Sequence, residues 1–265
     1  MPRQEPVRYV DALARYYGAM GHPPYRWTIN EDAPLTRPGK PVSEARVTML
    51  TSGGMSLCAM PAWDPMSRND HRLDAIPSDT STQDFQIHDS YYDHRSADTD
   101  LNCQFPIDRL REMVADGTIG SVAERFWSGF MGRIYNRTKV MEESAPAFAA
   151  ELHKDEVDLL IAVPACPLDH QTVGLVCRVG EESGIPTGCL STGRDLTELV
   201  RPPRSLFINF PMGNAFGKPF DNAMQRGVLQ SCLDMVIDCE VPGELRDLPH
   251  EWDVTFGYAP GKSGM

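Results

Sequence analysis

Apolar and polar positions along the chain fall into two rhythms, and the change from one to the other marks the elements. Between Val157 and Thr192 the stretch VDLLIAVPACPLDHQTVGLVCRVGEESGIPTGCLST starts as a near-continuous apolar run, breaks at Pro164, continues with helical spacing and returns to strand-like sequence. An unbroken run of this kind suits a strand covered on both faces. Within the helix, Val173, Val176, Cys177 and Gly180 share one face, Gly184 ends it, and Ile185-Pro186-Thr187 leads the next strand. The loop Ala165 to His170 therefore falls at the carboxyl end of a buried strand, where open parallel sheets place their ligands.

The same reading extends along the chain. Val7, Val10, Leu13, Ala14 and Tyr17 recur at helical spacing from Pro6 to Met20, and prolines 34, 38 and 41 turn residues 28–43 into an extended arm pinned by Tyr25 and Trp27. Arg46 to Leu50 forms a strand that runs into Gly53-Gly54, and residues 62–84 are an Asp-, Ser- and Pro-rich surface excursion. Phe85, Ile87 and Tyr91 suggest a short strand. Pro106, Asp108 as N-cap and Gly117 as stop frame a helix. Further helices are expected over Ile119–Met131, Val140–His153, Arg194–Val200 and Asn222–Asp238, with a buried strand at SLFINF and a surface tail from Pro242. Phe126, Trp127 and Phe130 are expected in the core.

This alternation predicts an α/β fold of open, mostly parallel sheets flanked by helices, arranged as two similar doubly wound halves with the site between them. The divisions are an N-terminal helix and arm (1–44), a first half (45–153), a second half (154–240) and a C-terminal tail (241–265).

Charge and composition narrow the function. A formal charge of -12 over 265 residues, without a basic stripe, argues against nucleic acid as a partner. The opening MPRQEPVRYVDALARYYGAM has no signal-peptide core and no apolar run is long enough for a membrane helix, so a cytoplasmic protein is expected. The seven scattered cysteines include no Cys-x-x-Cys and read as free thiols. No dinucleotide or nucleotide motif occurs, so NAD is not expected. Asp98-x-Asp100-x-Asn102 lacks the glycine and glutamate of a calcium loop.

Chemistry-bearing residues gather in two places. Cys166, at a helix amino terminus that favours thiolate, stands with Asp169 and His170; His88, Tyr92, Asp93, Asp98 and Asp100 form the second group. Cys166, Asp169, His170, His88 and Asp93 are the catalytic candidates, although Asp169 equally suits a helix cap. Gly53, Gly54, Tyr92 and Gly213 are candidates for substrate contact. His88, Asp93, Cys166 and His170 offer a donor set for a divalent transition metal. Asp89 and His94 are expected to face solvent.

GHPPYRW, TSGG, IHDSYYDHRSADTDLNCQFPIDRLREMVADGTIG, PACPLDHQTVGL, GIPT and PMGNAFGKP followed by Gln225 occur in an order that resembles the glycine, sarcosine, betaine and D-proline reductase family of selenoprotein B type. The resemblance implies a strand-end loop carrying Cys-x-x-selenocysteine, whose selenolate attacks substrate and cleaves a C–N bond. Cys166 matches the cysteine, and Asp169 stands where selenocysteine would be. A carboxylate cannot form a selenium- or sulfur-linked intermediate with a thiol, so that redox step does not carry over intact. The resemblance leaves three readings open: a selenium-free enzyme using Cys166 on a small amino-acid-derived or other nitrogen- or sulfur-containing compound, a metal-dependent lyase or hydrolytic enzyme, and a non-catalytic binding or complex subunit. A partner redox subunit or a homo-oligomer fits each.

Overall fold

The computed structural model describes residues 4–131 and 133–258. The chain opens with α1 (Tyr9–Ala19), followed by the arm, β1 (Arg46–Thr51), β2 (Met55–Leu57), β3 (Leu73–Pro77) and β4 (Phe85–Ile87). Next come α2 (Arg95–Thr99), α3 (Ile107–Ala115), β5 (Ser121–Val122), β6 (Arg125–Gly129), and α4 (Arg137–Lys139), which continues through a π-turn into α5 (Ala145–Lys154). The remainder alternates regularly: β7 (Leu159–Val163), α6 (Pro167–Glu182), β8 (Thr187–Ser191), α7 (Arg194–Val200), β9 (Arg204–Phe207), α8 (Asn222–Asp238) and β10 (Glu244–Asp247). No helix among the described residues is long and apolar enough to cross a membrane.

The fold is α/β, with a mostly parallel sheet in the order β10-β9-β8-β7-β1-β6-β3 and β5 beside the start of β1. Within it only β3 runs antiparallel, against β6, while β2 and β4 form a separate antiparallel pair. The two expected halves share this one sheet, because β1 and β7 pair in parallel from Val47↔Leu159 to Thr51↔Val163.

Strand parity sorts side chains between the two faces. Val47, Met49, Leu159, Ile161 and Val163 pack toward α3 and α8, whereas Leu50, Leu160 and Ala162 pack toward α5 and α6. This two-sided burial is why β7 reads as an unbroken apolar run.

Three expected elements changed. Ile119–Met131 is not a helix but β5 and β6: Phe126 enters one core and Trp127 the other, a period of two that the aromatic cluster disguised as an amphipathic helix. The surface excursion contains β3, and the tail contributes β10, whose pairing with β9 completes the sheet edge. Asp108 is not the cap of α3; helix entry is at Pro106, and the Asp108 N–H donates to Asn102 Oδ1 at 3.1 Å.

The arm wraps the body as its prolines require. The Thr28 N–H donates to Gln171 Oε1 at 2.7 Å and the Asn30 N–H to the Leu199 carbonyl at 3.0 Å. Farther along, the Thr36 N–H donates to the Glu181 carboxylate, which also pairs with Arg204 at 3.0 Å. Both charged side chains are almost fully buried, so removal of one leaves an uncompensated charge in the core. Glu181→Ala is expected to destabilise the fold by about 3–5 kcal/mol, measured by urea or guanidinium unfolding; a loss under about 1 kcal/mol would show that the pair behaves like a surface ion pair.

Candidate functional site

The strand order reverses at β1. The chain leaves β1 toward β6 on one side, whereas β7 leads to β8 on the other. Open parallel sheets place their ligands beyond the carboxyl ends of the strands at such a switch, here those of β1 and β7. Ser52 and Pro164 follow those ends directly and are stitched together: the Ser52 N–H donates to the Val163 carbonyl at 3.3 Å, and the Ala165 N–H donates to Ser52 Oγ at 3.2 Å. Gln104 donates to the Pro164 carbonyl at 3.1 Å, which fixes the loop before α6.

Cys166 is the N-cap of α6 and Asp169 occupies the third helical position. The pair forms a capping box: Asp169 N–H donates to the Cys166 sulfur, and the Cys166 N–H donates to Asp169 Oδ2 at 3.2 Å. Asp169 thus fulfils the capping role through its side chain, without being the N-cap itself. His170 Nδ1 lies 2.8 Å from the Cys166 carbonyl oxygen. A carbonyl only accepts, so Nδ1 carries the proton and Nε2 holds a lone pair. That Nε2 is buried and has no protein hydrogen-bond partner among the described residues.

Burial dominates the electrostatics. Cys166 is only 4 % exposed, and burial, reinforced by the negative charge of Asp169 and Asp89, pushes its thiol well above the ordinary range. The helix-terminus argument for a thiolate is outweighed, because desolvating an anion costs more than a helix end returns. Asp169 is also pushed well up, by burial first and then by Asp89, against the hydrogen bonds it accepts from the Cys166 N–H and the Ser52 hydroxyl. Asp89 rises to about 7 through burial, opposed by the Tyr91 N–H at 2.6 Å. His170 falls to about 4 because its cation would be buried. Burial thus disfavours the thiolate, the carboxylate and the imidazolium alike at this centre.

Asp89 corrects the sequence reading. It was expected in solvent but is 6 % exposed, and His94 beside it is partly buried, 2.7 Å from Asp98. Parity with Ile87 was the available signal, since both lie on the inward side of the segment leaving β4. Tyr92, fully buried, donates to the Gly53 carbonyl at 2.7 Å, and its own phenol is pushed upward by burial and then by Asp89 and Asp169.

His88 and Asp93 hold other partners. His88 is exposed with Nε2 3.3 Å from Gln86 Oε1, and Asp93 is bound by Arg95, which lowers its carboxyl. Among the described residues no group of three or more His, Cys, Asp or Glu side chains could hold a metal ion, so His88, Asp93, Cys166 and His170 do not assemble as a ligand set. The three glycines serve close packing. Gly54 (φ +64°) faces the His88 carbonyl, which a Cβ would approach to 2.4 Å, and Gly213 (φ +92°) faces the Asp93 carbonyl at 2.3 Å. A Cβ on Gly53 would stand 2.9 Å from the Tyr92 hydroxyl. Their absent side chains let the strand-end loops close on residues 88–93.

Asp89 has a consequence for stability. Its folded value of about 7 lies above the ordinary 3.8, so its contribution is fully present below about pH 4 and is lost as pH rises through about 7. Wild type is therefore expected to lose stability relative to Asp89→Asn between those limits. Denaturant unfolding of both proteins at each pH checks this; an unchanged difference would place Asp89 in a solvated setting.

The model of the glycine/sarcosine/betaine reductase selenoprotein B family matches residues 24–164, just over half of the chain, ending two residues before Cys166. The D-proline reductase subunit gamma of Acetoanaerobium sticklandii is 29 % identical over 230 residues, covering 87 % of this chain and 90 % of that protein. The glycine reductase complex component B subunit gamma of Carboxydothermus hydrogenoformans is 25 % identical, over 77 % of this chain and 48 % of its own length; that of Peptoclostridium acidaminophilum is 26 % identical, over 74 % and 47 %. The chain thus spans most of the D-proline reductase subunit and about half of these glycine reductase subunits. No solved structure matches. On the match from residue 24 to residue 164, through the arm, β1 and the His88–Asp100 segment up to the end of β7, this chain belongs to the glycine/sarcosine/betaine reductase selenoprotein B family.

Proposed function

We propose that the chain is a selenium-free reductase-type subunit that acts through Cys166 on a small amino-acid-derived or other nitrogen- or sulfur-containing compound, breaking a C–N or C–S bond. The observation that supports this reading is the juxtaposition of the Cys166 thiol with the Asp169 carboxyl, which burial pushes toward its protonated form, at the start of α6, beyond the switch between β1 and β7. In it, the Cys166 sulfur forms a bond to substrate carbon as the C–N or C–S bond breaks. Asp169 gives its proton to the leaving amine or thiol and then receives the thiol proton of Cys166. Reductive release of the bound product needs two electrons. A thiol on a partner subunit supplies them by attacking the Cys166 sulfur, which forms one disulfide and leaves the product carbon to take up a proton. The relatives' names, as subunits of reductases, support such a partner.

Asp169 occupies the selenocysteine position in this reading, and its carboxyl turns a redox partner into an acid. Cys166→Ser is expected to lower turnover of small amino acids and amines, with a dithiol as reductant, by at least about 10³-fold. Asp169→Asn is expected to lower it by about 10²–10⁴-fold. Steady-state kinetics check both, and full activity in Cys166→Ser would overturn the reading.

The position also has a structural test. Asp169→Cys is expected to recreate a dithiol with Cys166 that oxidises to a disulfide, seen in intact mass as a loss of about 2 Da and in peptide maps as a 166–169 link. Two persistent thiols at those positions under oxidising conditions would show that the side chains are not aligned as a redox pair.

The depth of Cys166, 4 % exposed, favours a second reading, a ligand-binding or complex-forming subunit without catalysis. Ligand binding retained in Asp169→Ala, together with no turnover in the presence of partner subunits, would favour it.

A further inference from the structure

Cys166 lies beneath two segments, α1 and residues 253–258, that belong to neither of the two large cores. It shares a small apolar cluster with Tyr9, Tyr92, Leu196 and Met212, against which Tyr258 packs. Tyr92, Leu196 and Met212 come from α7 and the loops around the strand ends, and are fixed by the sheet. Tyr9 and Tyr258 come from opposite ends of the described chain and meet edge to face, with ring centroids 5.1 Å apart.

These two ends are tied mainly to each other and to the rim. Gln4 Nε2 donates to the Phe256 carbonyl at 2.8 Å, and the Phe256 N–H returns a bond to Gln4 Oε1 at 3.1 Å. Asn209 donates to the Gln4 carbonyl at 2.6 Å, and the Val10 N–H donates to Asp195 Oδ2 at 2.9 Å. Tyr9 is the only buried residue of α1. The tail is anchored farther back, where Trp252 stacks on Phe210 with centroids 4.8 Å apart. Few side chains would leave the core if both segments moved, and the bonds to be broken are polar ones that water can replace.

We infer that α1 and residues 253–258 form a two-part lid over Cys166, latched by Gln4 and Phe256 and sealed by Tyr9 and Tyr258, which lifts to admit a small-molecule substrate to the thiol. This deepens the proposed function and rests on Cys166 being the group the substrate reaches. The segment after Trp252 swings from its aromatic anchor, and α1 is released when its first turn leaves Asp195. Closure then excludes water from the thiol and the protonated Asp169.

Thiol alkylation of the full-length protein tests the lid without any assay of turnover, so its outcome is separate from that of Cys166→Ser kinetics. Iodoacetamide labelling at about pH 9, followed by peptide mass spectrometry, reads each cysteine; Cys58, exposed, is the reference, and Cys232, on the buried face of α8, reports the integrity of the fold. In the double variant Gln4→Ala/Tyr258→Ala, the Cys166 rate relative to Cys58 is expected to rise about five- to tenfold while Cys232 stays protected. An unchanged Cys166 rate overturns the lid. So does a parallel rise at Cys232, which would mean that Cys166 is exposed by global opening.

Discussion

The parallel pairing of β1 with β7 is the constraint on which the remaining structure depends. It joins strands separated by more than a hundred residues, from Val47↔Leu159 to Thr51↔Val163, and so makes one sheet from two stretches of chain. The two strands end level with each other. Ser52 can therefore support the Ala165 N–H, and the Cys166–Asp169 capping box begins directly beyond. A slip of one residue would reverse the faces of every side chain on β7, exchanging Leu160 and Ala162 with Leu159, Ile161 and Val163 between two filled cores.

Beyond that pairing, the site accumulates groups that a stable interior would avoid. A thiol, two carboxyls, an imidazole and a phenol are buried together, and desolvation shifts each of them toward its neutral form. His170 Nε2 is left without a protein partner among the described residues at the same place. The buried pair Arg204 and Glu181 lies apart from this cluster, where it holds the arm against α6 and β9. Its charges compensate each other, while burial at Cys166 disfavours the charged forms. Clustering of perturbed groups at a strand-order switch is the physical mark of a functional site.

Much of this was legible in the residues. The apolar run of β7, Pro164 and the helix after it located the Cys166 loop at a strand end, and the family's motifs appeared in order before any coordinates. Other features were hidden for specific reasons. Phe126 and Trp127 serve opposite cores, so an aromatic cluster mimicked a helix face. Asp89 looked like one more polar residue in a polar stretch, because nothing local shows that the loops at Gly53 and Gly213 close over its neighbours. Nor does the sequence record that His88 engages Gln86 and Asp93 engages Arg95.

The sequence by itself determined the α/β class, the helix that follows β7, the thiol and carboxyl at its start and the family to which they belong, because these are written in local periodicity, in helix-end chemistry and in short motifs. Only the tertiary structure decided how those groups are charged and what covers them. Protonation depends on burial and on charges brought from distant parts of the chain, as Asp89 and Ser52 are brought to Asp169. The meeting of Tyr9 with Tyr258 is likewise a property of the closed sheet, since no spacing along 265 residues records that the two ends lie over the same thiol.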